Sequence, residues 1–312
     1  MVALEWPKDG LERVGVCPAC GYHGRTLRYA ELADRVFFSA PGKWNLYACD
    51  RCGALFLDPR PTQATVGLAY SSYYTHEEAP TSGGIRGLLD RLLPGGTPAA
   101  NGIVRDLALP PGAWCLDVGC GDGRILRQLR AAGCDAQGID PDPVAVASAR
   151  DAGLSVIEGT LDRATFEPGS FHAVILNHVA EHLHHPAETL LTCRELLQPG
   201  GRLWLATPNL GSSGHSRFGR NWLHLDPPRH LVLFTRGSLS SLVQSVGFSG
   251  LRFRSSRTAT LVYPASKAIE LGEKPMEFVP PRKSVLQARL VDLLSSLRPR
   301  NAEELVLIAD RD

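Results

Sequence analysis

The sequence predicts an α/β protein in which a small N-terminal module precedes a doubly wound, mostly parallel sheet. From about residue 109 onward, short apolar runs that fit buried strands alternate with segments of helical spacing, and this alternation is typical of parallel sheets with helices on both faces. A glycine-rich string, LDVGCGDG, lies at residues 116–123, between the first of these runs and the first helical segment. Upstream, two Cys-x-x-Cys-Gly strings indicate the separate small module.

Strand and helix signals then follow one another along the chain. Asp142 is a predicted N-cap, Pro143 is the first residue of its helix, and Gly153 ends that helix. Gly247 ends a later helix in the same way. The predicted strands cover residues 114–116, 136–140, 155–157, 173–176, 202–206, 251–253 and 304–309. The predicted helices begin at Arg124 and cover residues 143–150, 186–197 and 235–246.

The glycine-rich string is interpreted as a tight turn that binds a nucleotide. Glycines are needed there because the backbone must turn sharply and a ligand must approach it without meeting a Cβ atom. Strand, glycine turn and helix together form the nucleotide-binding start of a doubly wound sheet. The alternative is a structural glycine turn in another nucleotide-binding fold.

The turn departs from the dinucleotide fingerprint G-x-G-x-x-G, because Gly119 and Gly121 fit but Arg124 occupies the last position. Asp117 lies at the approach to the turn, where a carboxylate suits a cationic ligand better than a pyrophosphate. S-adenosylmethionine (SAM) carries an ammonium and a sulfonium group and no phosphate. The next predicted strand ends at Asp140, about twenty residues after the first glycine, where a carboxylate can hold both ribose hydroxyls.

Four cysteines have the spacing of a metal site: Cys17, Cys20, Cys49 and Cys52. Each Cys-x-x-Cys-Gly string lets a tight turn aim two thiolates at one ion. Two such turns supply a closed tetrahedral set, which predicts a structural zinc ion in a ribbon that spans residues 1–60. The alternative is two redox-active or unligated cysteine pairs. The remaining cysteines are expected to be small buried residues: Cys115, Cys120, Cys134 and Cys193.

Composition and charge exclude several classes of function. The chain has 33 Lys and Arg against 32 Asp and Glu, a net charge of +1, which argues against a nucleic-acid partner. No apolar run approaches the length of a membrane span, and the N-terminus has no apolar core typical of a signal peptide. We therefore expect a cytoplasmic protein without a membrane partner.

Several strings spread over nearly the whole chain carry a family resemblance: CPACG, CDRCG, LDVGCGDGR, GID, NHVAEHLHHP, LQPGGRLWLATPN and WLHLDPPRHLVLFTRGSL. Together they resemble zinc-ribbon-bearing class I SAM-dependent methyltransferases of bacterial secondary-metabolite and cell-surface sugar pathways. The core is also similar to the ubiquinone-biosynthesis O-methyltransferases. The resemblance implies a seven-stranded Rossmann-like sheet and, position by position, these SAM-binding residues: Asp117, Gly119, Gly121, Asp140, Thr160, Leu161 and Asn177.

The predicted organisation therefore has three parts. The ribbon is followed by a linker with lid helices at residues 61–108, and a class I SAM-dependent methyltransferase domain covers residues 109–312. An insertion at residues 209–234 is rich in basic and aromatic residues, which indicates a functional loop, and the resemblance implies that it covers the acceptor. A helical insertion at residues 254–302 is either a homodimer surface or a substrate lid.

His178, Glu181 and His182 form an H-x-x-E-H string, which taken alone is the inverzincin motif. On a helix, the two histidines would share a face one turn apart and could bind a metal ion. The string follows the fourth strand of a nucleotide-binding sheet, however, so peptidase activity is a minor alternative. Structural or substrate-shaping roles come first, and acid–base or metal participation comes second.

The insertion supplies the candidate general base, His230. Arg220 or Arg229 is a candidate for binding an anionic acceptor, because guanidinium groups match phosphate and carboxylate geometry. The alternative is that Asp226 and Arg229 pair to brace the loop while His230 caps it.

The predicted function is methyl transfer from SAM to oxygen or carbon of a small-molecule acceptor, such as a sugar, a nucleotide-sugar or a secondary metabolite. The alternative from another class is a zinc-ribbon binding or adaptor protein whose methyltransferase-like core is not catalytic. The intact glycine turn favours the enzyme.

Overall fold

The computed structural model describes residues 5–70, 98–161 and 166–312. Most of the predicted linker and lid, residues 71–97, lies outside the described residues. The strands within these ranges are β1 (Leu11–Glu12), β2 (Arg25–Leu32), β3 (Trp44–Cys49), β4 (Leu55–Leu57), β5 (Arg60–Pro61), β6 (Trp114–Val118), β7 (Asp135–Asp140), β8 (Ser155–Glu158), β9 (Phe171–Asn177), β10 (Leu197–Pro208), β11 (Val232–Leu233), β12 (Ser249–Arg254) and β13 (Glu304–Asp310). The α-helices are α1 (Pro98–Leu107), α2 (Arg124–Ala131), α3 (Pro143–Asp151), α4 (Pro186–Leu196), α5 (Ser213–Phe218), α6 (Arg236–Ser245), α7 (Ala259–Leu271) and α8 (Arg282–Leu297).

The central sheet has seven strands in the order β12-β13-β10-β9-β6-β7-β8. Strands β6 to β10 pair in parallel, whereas β13 is antiparallel to both of its neighbours. The chain winds outward from β6 in both directions, so the predicted doubly wound sheet is confirmed. Ligands bind such sheets at the carboxyl ends of the strands where the winding reverses, here the ends of β6 and β9.

The helices beside this switch point form where the apolar spacing and the end signals predict them. Helix α2 buries Ile125, Leu126 and Leu129 on one face. Asp142 caps α3 by accepting a hydrogen bond from the backbone N–H of Val144. Caps of this kind are worth about 1 kcal/mol.

The N-terminal sheet combines residues from two distant parts of the chain. Its order is β11-β4-β3-β2, so the predicted ribbon is completed by a strand from the insertion at residues 209–234. The Leu57 N–H also donates to the Leu231 carbonyl at 3.0 Å. The module therefore holds the loop that precedes β11. The boundaries predicted between ribbon, linker and domain stay predictions.

The insertion at residues 254–302 is helical, as its spacing predicts. Helices α7 and α8 pack side by side, and the buried Asp292 of α8 accepts hydrogen bonds from the N–H groups of Ala259 and Thr260 at the start of α7. In the described ranges, no helix is both long and apolar enough to cross a membrane.

Candidate functional site

Asp117 lies near the end of β6, directly before the glycine turn. It is 1% exposed, and both of its carboxylate oxygens lack a hydrogen-bond partner among the described residues. Burial, together with the nearby Asp140 carboxylate, raises the pKa of Asp117 to about 8. An orphaned buried carboxylate is costly unless a ligand satisfies it. Its chemistry fits a cationic group such as the ammonium of SAM.

The glycine turn beside Asp117 has the backbone that only glycine adopts readily. Gly119 and Gly121 have φ values of +69° and +53°, in the left-handed region. A Cβ atom on Gly119 would lie 2.6 Å from Cγ2 of Val179. The turn after β6 is therefore packed directly against the loop after β9, which brings the H-x-x-E-H string to the switch point.

Asp140 ends β7 and holds the turn in place. Its Oδ2 accepts from the Gly121 N–H at 2.8 Å, and its Oδ1 accepts from the Asp142 N–H at 2.9 Å. Burial raises the pKa of Asp140, although these two hydrogen bonds act in the opposite direction. The other predicted cofactor residues, Thr160 and Leu161 after β8 and Asn177 at the end of β9, lie at the same edge of the sheet. Their roles stay predictions.

His178 does not share a helical face with His182, in contrast to the helical geometry considered for this string. It follows β9 with a φ of 56°, and the helical turn after it is only the three-residue 3-10 segment Ala180–His182. The left-handed residue breaks the helix before it can begin. The sequence spacing alone could not show this, because it assumes continuous helical backbone.

Two carboxylates hold the His178 ring. Its Nδ1 lies 3.1 Å from Glu181 Oε1, and its Nε2 lies 3.0 Å from Glu304 Oε1. Burial lowers the pKa of His178, but the two carboxylates outweigh it and raise the pKa to about 10. At neutral pH both nitrogens therefore donate, and no lone pair is left for a metal ion or for a proton. The two carboxylates therefore fix the orientation of the His178 ring.

Glu181 is fully buried and uses both oxygens. In addition to His178, it accepts a hydrogen bond from the Thr207 hydroxyl at 2.8 Å. Burial alone would raise the pKa of Glu181. The hydrogen bond from His178 and the positive charge of that ring act together in the opposite direction, so the net pKa is lowered and the side chain is anionic. Its backbone carbonyl accepts from the Leu231 N–H at 2.7 Å. Glu181 thus joins the loop after β9 to the insertion that carries His230.

His182 and His230 face each other with ring centroids 4.8 Å apart. His230 Nδ1 lies 2.7 Å from the His224 carbonyl oxygen, and His182 Nδ1 lies 3.0 Å from the Arg229 carbonyl oxygen. Because a carbonyl only accepts, each Nδ1 carries a hydrogen, and Nε2 is the nitrogen that offers a lone pair whenever the ring is neutral. Burial and the neighbouring His230 lower the pKa of His182 to about 4, so its ring is neutral.

The structure also brings Glu181, His182 and His230 close enough to share a metal ion. One ligand atom of each lies within 4.8 Å of the others. Both oxygens of Glu181 are already hydrogen-bonded, however. The set therefore fits acid–base chemistry by the two imidazoles better than metal binding.

Arg229 is a brace and not a surface for an acceptor. It is 0% exposed, and its guanidinium forms two-pronged ion pairs with Asp34 and Asp226, with N–O distances of 2.6 to 3.0 Å. It also donates to the Ser39 hydroxyl and to the Ala69 carbonyl. With its donors occupied, Arg229 matches the bracing alternative. Arg220 is exposed and donates weakly to the Ala30 carbonyl at 3.4 Å.

Sequence reasoning missed three contributors to this site. Glu304 begins β13, and because β13 is antiparallel its first residue meets the carboxyl ends of β9 and β10. Thr207 lies near the carboxyl end of β10, so the same reasoning about the edge of the sheet could have identified it. His224 has a buried Nε2 without a partner among the described residues, and burial lowers its pKa to about 3. Its ring stacks between His178 and His230.

The four predicted zinc ligands converge. The Sγ atoms of Cys17 and Cys52 are 3.7 Å apart, and those of Cys20 and Cys49 are 3.5 Å apart. Four thiolates at about 2.3 Å from one tetrahedral zinc ion lie about 3.8 Å from one another, so the set fits this metal. Cys115, Cys120, Cys134 and Cys193 are buried, as expected.

Comparison with known proteins identifies the family of the chain. A family model described as a methyltransferase domain matches residues 91–252, more than half of the chain. The ubiquinone biosynthesis O-methyltransferase of Xanthomonas axonopodis pv. citri (strain 306) is 36% identical over 107 residues, which cover 32% of this chain and 45% of that protein. Its counterpart from Xanthomonas campestris pv. campestris (strain B100) is 38% identical over 106 residues, 32% of this chain and 44% of that protein. The chain thus spans less than half the length of these relatives.

Solved SAM-dependent methyltransferases are similar to the chain over a longer stretch at low identity. One from Archaeoglobus fulgidus is 16% identical with a TM-score of 0.47, covering 73% of this chain and 100% of that chain. One from Thermotoga maritima is 15% identical with a TM-score of 0.46, and the match covers 69% of this chain and 89% of that chain. On the family match and the sheet order, the chain belongs to the methyltransferase domain family and has the seven-stranded fold of a class I SAM-dependent methyltransferase.

Proposed function

We propose that the protein transfers a methyl group from SAM to a small-molecule acceptor, with His230 as the general base. The observation that carries this proposal is the orphaned, buried carboxylate of Asp117 at the glycine turn, which packs against the loop that carries His182, the ring neighbour of His230. In this proposal, a carboxylate that suits a cation and a proton acceptor serve the same edge of the sheet. Both are needed for methyl transfer to a protonated acceptor.

The chain's own residues would hold SAM through charge and close backbone approach. Asp117 would pair with the ammonium group, and Asp140 would hold the ribose hydroxyls while it fixes the turn. Thr160 and Leu161 would bound the adenine, and Asn177 would face the methionine part. When bound, SAM supplies an electrophilic methyl group on its sulfonium. The protein then has to align the acceptor and exclude water.

His230 would take the acceptor's proton at Nε2. The Nδ1 hydrogen bond to the His224 carbonyl fixes the tautomer that leaves Nε2 free. His182 has a neutral ring and lies beside His230, with ring centroids 4.8 Å apart. General base catalysis of this kind contributes about 10²- to 10⁴-fold in rate.

The acceptor is proposed to be a sugar, a nucleotide-sugar or a secondary metabolite methylated on oxygen or carbon. The curated relatives are named as O-methyltransferases, which favours oxygen. The internal pairing of Arg229 leaves the exposed Arg220 as the remaining candidate for a phosphate-bearing acceptor.

We propose that the zinc ion is structural. The four thiolates close a tetrahedral set and leave no open position for chemistry. Small modules of this kind need the metal to fold. Since β11 completes the ribbon sheet, zinc would also hold the segment just after His230.

Calorimetry with the zinc-loaded protein tests the proposal. We expect saturable binding of SAM and none of NAD, and loss of SAM binding in Asp117→Ala and Asp140→Ala. The matched control is Asp122→Ala, an exposed carboxylate in the same turn, which should bind SAM normally. Absence of SAM binding in a folded, zinc-replete sample would contradict the proposal and favour the adaptor alternative.

A further inference from the structure

Among the described residues, helix α8 has one apolar face that nothing covers. Its opposite side is buried at Ala288, Asp292 and Ser295. The uncovered side carries five leucines that are each 51% to 77% exposed. These residues, called the leucine face below, are Leu286, Leu290, Leu293, Leu294 and Leu297. They recur at helical spacing and so form one stripe. Large contiguous apolar patches of this kind usually mark an interaction site.

Positive charge borders the leucine face. The exposed basic residues of α8 and of the segment just after it are Arg282, Lys283, Arg289, Arg298 and Arg300. Within the described part of the chain, none of these five forms an ion pair. The one acidic residue of α8, Asp292, is buried under α7. The uncovered surface is therefore apolar and cationic.

We propose that α8 docks the protein on a lipid surface that carries anionic headgroups. An apolar stripe bordered by Lys and Arg is the pattern of helices that lie in the plane of a membrane interface. The leucine face would insert among the acyl chains, and the basic side chains would contact the headgroups. Each such positive charge strengthens binding to an anionic membrane about fivefold.

Docking in the plane requires no membrane-spanning segment. Helix α8 has 16 residues, about 24 Å of helix, which is shorter than a hydrocarbon core of about 30 Å. The expectation of no membrane partner was based on the lack of a spanning run. The structure adds a surface that the composition does not show, because leucines and arginines of α8 alternate along the chain and separate only on the folded helix.

A second copy of the chain is the competing occupant. Two copies joined through their leucine faces would bring two sets of five cations together. No exposed carboxylate on α8 would offset that repulsion. Charge complementarity therefore favours the anionic surface over self-association.

Co-sedimentation of the full, zinc-loaded protein with vesicles tests this proposal. The vesicles are pure phosphatidylcholine or phosphatidylcholine mixed with phosphatidylglycerol. We expect binding to the anionic vesicles only, weakened at high salt because salt screens exposed charges. Sedimentation velocity of the protein without vesicles should give a monomer.

Two variants and a control separate the contributions. Leu290→Ser/Leu293→Ser should lower the partition coefficient by at least about tenfold, since two apolar side chains no longer insert. Arg282→Gln/Lys283→Gln/Arg289→Gln should lower the partition coefficient by about a hundredfold, because it removes three positive charges. The control is Val144→Ser on α3, which is 52% exposed and should bind like the parent. Circular dichroism of each variant should show an unchanged fold.

Three results would overturn the proposal. One is no sedimentation with anionic vesicles. Another is unchanged binding by the folded leucine variant, which would leave only nonspecific charge attraction. The third is a dimer that the leucine substitutions dissociate, which would assign the face to a second copy.

Discussion

Replacing Asp117 with Asn should change the pH dependence of stability in a defined direction. The pKa of this buried carboxyl is raised from 3.8 to about 8. Between these values the folded state keeps a proton that the unfolded state has lost, so the free energy of unfolding falls as pH rises. Asp117→Asn removes the titrating carboxyl, so the free energy of unfolding of the variant does not fall in this way as pH rises.

The size of the effect follows from the width of that window. Each pH unit within it costs the parent protein up to about 1.36 kcal/mol, which is about 4 kcal/mol between about pH 5 and pH 8. Relaxation and water entry reduce this figure, and we expect about 2 kcal/mol or more. Asp117→Asn should therefore gain stability relative to the parent as pH rises, while it loses SAM binding.

Urea unfolding at several pH values, followed by tryptophan fluorescence, measures this difference. The control is Asp122→Asn in the same turn, whose exposed side chain should leave the pH dependence of the parent unchanged. Parallel curves for Asp117→Asn and the parent would refute the assignment of a buried, protonated carboxyl. A variant that still binds SAM with the parent's affinity would refute its role in binding the ammonium group.

Three further predictions concern the acceptor side. His230→Gln should lower turnover about 10²- to 10⁴-fold with SAM affinity unchanged by calorimetry. Arg229→Met should destabilise the protein by about 3 to 5 kcal/mol in urea unfolding, because it strands the buried carboxylates of Asp34 and Asp226. Removal of zinc by a chelator should unfold the N-terminal sheet in circular dichroism and also abolish turnover, since β11 belongs to that sheet.

Each of these has a result that contradicts it. Loss of SAM binding by His230→Gln would mean that the residue shapes the cofactor pocket. An Arg229→Met protein as stable as the parent would show that the brace is dispensable. Full activity in a metal-free, folded protein would separate the ribbon from the acceptor site.

Local features of this fold could be predicted from the sequence. The glycine turn, the caps of α3 and the apolar faces of the helices depend on neighbours a few residues apart, so spacing shows them. Asp117 and Asp140 could be identified for the same reason, because each lies at or next to the end of a strand beside a recognisable turn.

Long-range pairings could not be predicted in this way. Arg229 and Asp34 are 195 residues apart in the chain, and no periodic pattern connects them. The left-handed backbone of His178 was likewise hidden, since a histidine at that spacing reads equally well as helical. Strand β11 has only two residues, which is too short for an alternating pattern.

The shared N-terminal sheet has a consequence for how the protein is made. Strand β4 leaves the ribosome well before its partner, because the strand that covers its edge is more than 170 residues further along the chain. At ordinary rates of synthesis, that edge waits on the order of ten seconds or more for its partner. During this time Leu55, Phe56 and Leu57, which are buried in the finished protein, present an open apolar edge of the kind that aggregates. Truncation before residue 232 would make that exposure permanent.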